Sequence, residues 1–134
     1  MKLTTAASYA LHAVAYMAAQ KVTDKPVASH KIAHERGIPE RFLLKVLKPL
    51  VSARVLRSTK GPNGGYHLAK PAGDITMLEI VEAVDGTIRG HAPATRENNG
   101  SLNAKLERIC NKGAEQMREY LASVRVPDLV SGKK

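Results

Sequence analysis

Two clusters of residues in this 134-residue chain could do chemistry on a polyanion. Arg41, Lys45, Lys48 and Ser52 recur at i, i+4, i+7 and i+11, a spacing that places them on one stripe of an α-helix. Shortly after them, the stretch TKGPNGGYHLAK from Thr59 to Lys70 packs glycine, proline and asparagine between lysines, with Lys60, Asn63, Gly64 and Tyr66 around its bendable centre. Guanidinium and ammonium groups donate to phosphate oxygens and to base edges. Glycines let backbone amides approach a phosphate without obstruction. Alone, each cluster is more often just an ordinary turn or a solvated helix face; standing side by side in this order, they predict nucleic-acid recognition.

The distribution of charge agrees. The formal net charge is +9, and residues 1–72 hold 12 Lys and Arg against 3 Asp and Glu, whereas residues 73–134 hold 9 against 9. All the excess lies in the first half, where Lys2 joins the candidate DNA contacts. A cation that meets a phosphate releases condensed counterions, so such an asymmetry marks a surface for nucleic acid.

Other chemistries find no footing. No Ser/His/Asp, Cys/His or paired-carboxylate arrangement stands out, so a non-enzyme is expected. Gly64-Gly65 runs into Tyr66-His67 where a phosphate-binding loop needs Lys and Ser or Thr. Gly61 to Gly64 matches the G-x-x-G of an RNA-binding KH loop, but that loop joins helices and strand-like segments flank this one. His30, His34 and Glu35 are spaced closely enough to raise a metal site, yet exposed histidines on a basic helix are ordinary, and no metal ligand is assigned. The single cysteine, Cys110, rules out an intrachain disulfide and a cysteine cluster, and it suits a reducing interior. No apolar run approaches the roughly 20 residues of a membrane helix, and Met1 to Ala10 is too interrupted for a signal peptide. A cytoplasmic protein without membrane contact is expected.

The elements that must carry these residues can be read from periodicity. Leu3, Ala7, Ala10, Leu11, Val14, Met17 and Ala18 mark a first helix over residues 3–19. Ser29 is placed to cap a second helix of about two turns, which Gly37 can close. Pro39 suits the first turn of a third helix, whose Leu43, Val46, Leu47, Leu50 and Val51 form an apolar back to the cationic stripe. VLRST and YHLAK read as strands around Gly61 to Gly65, making the basic loop the tip of a hairpin. Thr76 with Glu79 forms a capping box for a fourth helix ending at Asp85-Gly86.

Residues 87–100 lack periodicity and read as a mobile linker. Leu102, Leu106, Ile109, Cys110, Met117 and Leu121 then line a long amphipathic helix over 101–126 that needs a surface to lie against, ahead of a frayed tail at 127–134. Inert packing is the expected role of Cys110. The fold class is mainly α with a small β-hairpin wing: a winged helix-turn-helix over 1–86, a linker over 87–100 and a long C-terminal helix. Two readings from other classes stand beside it, namely a regulator acting mainly through a partner enzyme with weak DNA contact, and an RNA-binding module.

The segments MKLTTAASYALHAV, IAHERGIPERFLLKVLKPLVSARVLRSTKGPNGGYHLAKP and ITMLEIVEAVDG resemble the Rrf-two family of bacterial winged-helix transcription regulators, over about residues 1–86. The resemblance implies a homodimeric regulator, usually a repressor and sometimes an activator, that binds a palindromic promoter site and whose long C-terminal dimerisation helices pair, here through Leu102, Leu106, Ile109, Cys110, Met117 and Leu121. It places the reading helix at Pro39 to Ser52 and the groove-inserting wing at Thr59 to Tyr66, so that Arg41, Lys45 and Lys60 inherit DNA-contact roles, with Ser29, Lys48, Asn63, Gly64 and Tyr66 around them. Many members carry three cysteines that bind an iron-sulfur cluster between the fourth and last helices. Arg89 to Ser101 contains none, so a member without a cluster is expected, one answering instead to a partner enzyme, a small-molecule effector or thiol oxidation.

Overall fold

The computed structural model describes residues 1–21, 25–96 and 101–130. Helix α1, Thr5–Ala18, starts where the Thr4 hydroxyl accepts from the Ala7 amide at 3.0 Å, while the same hydroxyl donates to the Asp85 carboxylate at 2.9 Å. Its buried face is Ala7, Ala10, Ala13, Val14 and Met17, and the short side chains let neighbouring helices come close. Leu3, expected within this helix, precedes it and is largely exposed, because the chain turns helical only after the threonine cap.

Helix α2 spans Ser29–Arg36 and ends at Gly37 in the left-handed region, φ 64°. Ser29 does not cap it. Ala28 occupies the cap position with no side-chain bond, and the Ser29 hydroxyl donates instead to Glu40 Oε2 at 2.8 Å. The serine is already the first helical residue, so its hydroxyl is free to reach the next helix.

Helix α3, Glu40–Ser52, begins one residue after Pro39, which sits at the cap with φ −59°. Leu43, Val46, Leu47 and Leu50 are buried, and the helix runs through Pro49, which withholds one amide donor. Strands β1, Leu56–Thr59, and β2, Gly65–Leu68, pair antiparallel with Thr59 opposite Gly65 and Leu56 opposite Leu68.

Helix α4, Met77–Asp85, carries the expected capping box, the Thr76 hydroxyl accepting from the Glu79 amide and Glu79 accepting from the Thr76 amide. Residues 87–96 form no regular element, as expected, but they are not free of partners: the Ile88 amide donates to Glu82 and the Ala92 amide to Glu107, and Thr95 exchanges two bonds with Asn103. Carboxylates and an amide of the flanking helices hold this strap down, which composition alone concealed. Residues 97–100, the rest of the expected linker, lie outside the described residues.

Helix α5, Ser101–Ser123, stops short of the expected boundary at 126, and the segment expected to fray is ordered. The Met77 amide donates to the Val124 carbonyl, the Val126 amide to the Ile75 carbonyl, and Val126–Val130 forms a short helix α6 against α1. Val126 is buried, and it anchors the turn. Residues 131–134 lie outside the described residues. The core joins α1, α2, α3, α4, the base of the hairpin and Val126 into one apolar cluster.

Candidate nucleic-acid interface

Burial of Leu43, Val46, Leu47 and Leu50 fixes the rotation of α3 and turns Arg41, Lys45 and Lys48 out to solvent. None of the three has a carboxylate within ion-pair distance among the described residues, where the pairs are Lys70–Glu79, Lys112–Glu115 and Arg118–Glu82. Unneutralised cations are what a phosphate surface requires. Phe42, 41 % exposed, organises two of them: the Arg41 guanidinium lies 5.0 Å and the Lys45 ammonium 5.6 Å from its ring centroid. The ring also lines an apolar notch with Thr5, Ala6, Tyr9 and Val46, which opens between α3 and the start of α1.

The hairpin is held by more than its own turn. Tyr66 exchanges two 2.8 Å backbone bonds with Val27, making the segment before α2 a third rail beside β2. A Cβ on Gly64 would collide with the Thr59 carbonyl, and one on Gly65 with the Val27 carbonyl, so both glycines are required by contact. Lys60 and Asn63 stand exposed at the tip, and Gly64 is half-buried beneath them. Tyr66 packs against the core, which gives it the task of seating the wing.

The expected contacts thus separate. Arg41, Lys45, Lys48, Lys60 and Asn63 are exposed on the reading helix and wing, while Ser29 is engaged with Glu40. Lys2 is elsewhere: it lines a cavity of about 500 Å³ with Asp85, Arg89, His91, Cys110 and Met117, between the end of α4, the strap and α5. Gly90 there lies against the backbone of Cys110 and Asn111, too close for a side chain. Of the expected pairing residues, Leu102, Leu106 and Ile109 are exposed and Cys110 and Met117 half-buried, but Leu121 is 2 % exposed and belongs to the protomer's own interior. The seam expected along α5 mixes two faces, because its second half packs on α4.

Sequence reasoning missed Phe42 as an organiser and Leu44 as an exposed apolar residue beside the stripe; both were open to view once Leu43, Val46, Leu47 and Leu50 had claimed the inner face. It also missed Arg54 and Arg57, exposed cations at the base of the wing.

A family model described as Rrf2, iron-dependent transcriptional regulator, matches residues 3–132. The chain belongs to the Rrf2 family. Curated relatives include Protein aau3 of Rhizobium meliloti, 30 % identical across 99 % of this chain and 87 % of that protein, and the HTH-type regulator BadM of Rhodopseudomonas palustris, 36 % identical across 97 % and 81 %. Among solved structures, CymR, the global cysteine regulator of B. subtilis, superposes with a TM-score of 0.76 at 25 % identity, covering 100 % of this chain and 99 % of that one. The Rrf2 fold is the winged helix expected from the reading helix and hairpin, and this chain is a DNA-binding transcriptional regulator of that family. The chain has one cysteine, and no group of three or more His, Cys, Asp or Glu that could hold a metal occurs among the described residues.

Proposed function

We propose that this regulator binds a palindromic promoter site as a homodimer and represses transcription, with Arg41, Lys45 and Lys48 in the major groove and Lys60 and Asn63 at the adjoining minor groove. The observation that carries this reading is the cationic stripe, without an ion-pair partner among the described residues, held outward on α3 by a buried apolar back, beside an exposed lysine at the hairpin tip. A major groove admits one α-helix, and a narrow minor groove attracts a cation on a thin backbone. The exposed Leu102, Leu106 and Ile109 of α5 supply the apolar surface on which two copies pair. We further propose that the chain works without an iron-sulfur cluster, in the cytoplasm, with its signal arriving as a small molecule or partner enzyme at the strap.

Selection of bound sites from random duplex DNA tests the reading. An enriched palindrome with half-sites roughly 34 Å apart, or a multiple of that, supports it, and uniform binding to every duplex would point to the enzyme-partner alternative. Lys45→Ala is expected to cost on the order of 1–3 kcal/mol of specific affinity in anisotropy titrations while leaving the oligomeric state intact. Anaerobically purified protein is expected to be colourless; broad visible absorbance with stoichiometric iron and sulfide would overturn the cluster-free assignment.

A further inference from the structure

We propose that Leu44 reads sequence, by seating its side chain against the C5 methyl of thymine on the floor of the major groove. The inference rests on the DNA-binding reading above and adds a specificity contact to it.

Leu44 is 43 % exposed, whereas Leu43, Val46, Leu47 and Leu50 of the same helix are buried. It belongs neither to the core cluster nor to the apolar side chains packed upon it. Its position is three residues after Arg41 and four before Lys48, so on the helix surface it neighbours both. Phe42, exposed to a similar degree, has an intramolecular role under Arg41 and Lys45, whereas Leu44 stands outside the core packing of the described residues. A branched apolar side chain flanked by unpaired cations gains most when those cations draw a polyanion over it. What they bring is duplex DNA, whose phosphates the cations engage at the rim while the floor meets the residue between them. There the apolar feature is the thymine methyl. Against guanine O6 or cytosine N4, the same leucine would strip water from a polar edge and return no hydrogen bond. Leu44 therefore favours an A·T pair at its position.

The test uses the full chain and the operator enriched by selection. Each thymine is replaced singly by deoxyuridine, which deletes only the methyl, and affinity is measured by anisotropy. One or two positions per half-site are expected to lose roughly fourfold, the scale of one buried methyl-sized group. Leu44→Ala should abolish that loss at those positions and leave any uracil effect under the wing untouched, and Leu44→Met, still apolar, should retain it. Indifference of the unaltered protein to every uracil overturns the proposal, as does an unchanged methyl effect in Leu44→Ala. A Leu44→Ala variant that falls apart into monomers would show instead that this side chain meets a second copy of the chain. Failure to enrich any duplex would defeat the DNA-binding reading itself, and this inference with it, whereas enrichment without a methyl effect defeats Leu44 alone.

Discussion

Phe42 shows how much of an interface is set by a residue that need not touch the ligand. With one ring under both Arg41 and Lys45, the cations would lose less freedom in the proposed phosphate contacts than if they were unsupported. Phe42→Ala is expected to weaken DNA binding by about 1 kcal/mol, with Phe42→Tyr retaining most of it; equal affinities in an anisotropy titration would dismiss the ring as an organiser. Arg54 offers a second test. Its φ of 63° is left-handed backbone that a side chain disfavours, so Arg54→Gly should raise stability in urea titrations by about 1 kcal/mol. Polarity and spacing made Arg41 and Lys45 legible from the chain. The left-handed turn at Arg54 was not, because arginine carries no local mark of such a conformation, and Ser29 was misread because its hydroxyl's partner lies eleven residues away at Glu40.

Elements whose cause is local were the ones read well. The apolar back of α3 and the Thr76–Glu79 box depend on residues within one or two turns, so they appeared in the sequence as they stand in the fold. Helix α6 depends on the edge of Ile75 and on a buried Val126, and five residues including Pro127 carry no period from which to infer it. The wing combines both situations: its turn is legible, its attachment to Val27 is not. Gly64→Ala, by driving a methyl into the Thr59 carbonyl, should distort the tip and weaken duplex binding while thermal unfolding of the core shifts little. The joint between α4 and α5 titrates. The Arg118 guanidinium, bonded to Glu82 at 2.9 Å, holds that carboxyl below its ordinary value of 4.5; partial burial opposes this, and the Ile88 amide assists it. A carboxyl depressed in the fold lends stability above its unfolded pKa and loses it as pH falls through the folded value. Glu82→Gln should therefore melt a few degrees lower at neutral pH, a difference of about that size shrinking below pH 4.5.

On the scale of the whole molecule, the expected boundary at residue 86 divides what the packing joins. Val126 lies in the same cluster as Met17, Leu43 and Ile80. A fragment ending at residue 86 leaves Ile75 uncovered and is expected to unfold at lower denaturant than the full chain, as followed by circular dichroism; equal midpoints would restore the boundary. The proposed pairing through α5 has its own check, since Ile109→Glu puts a charge on a side chain that is 67 % exposed and should yield a folded monomer in sedimentation. The stitching of Val124 to Met77 and of Val126 to Ile75 has a mechanical corollary. Because the long helix is welded to the head on both flanks of this joint, it can swing only by carrying the head along as a crank carries a pedal. In the proposed dimer, the number of base pairs between half-sites then becomes a protractor for the angle at which two such cranks cross.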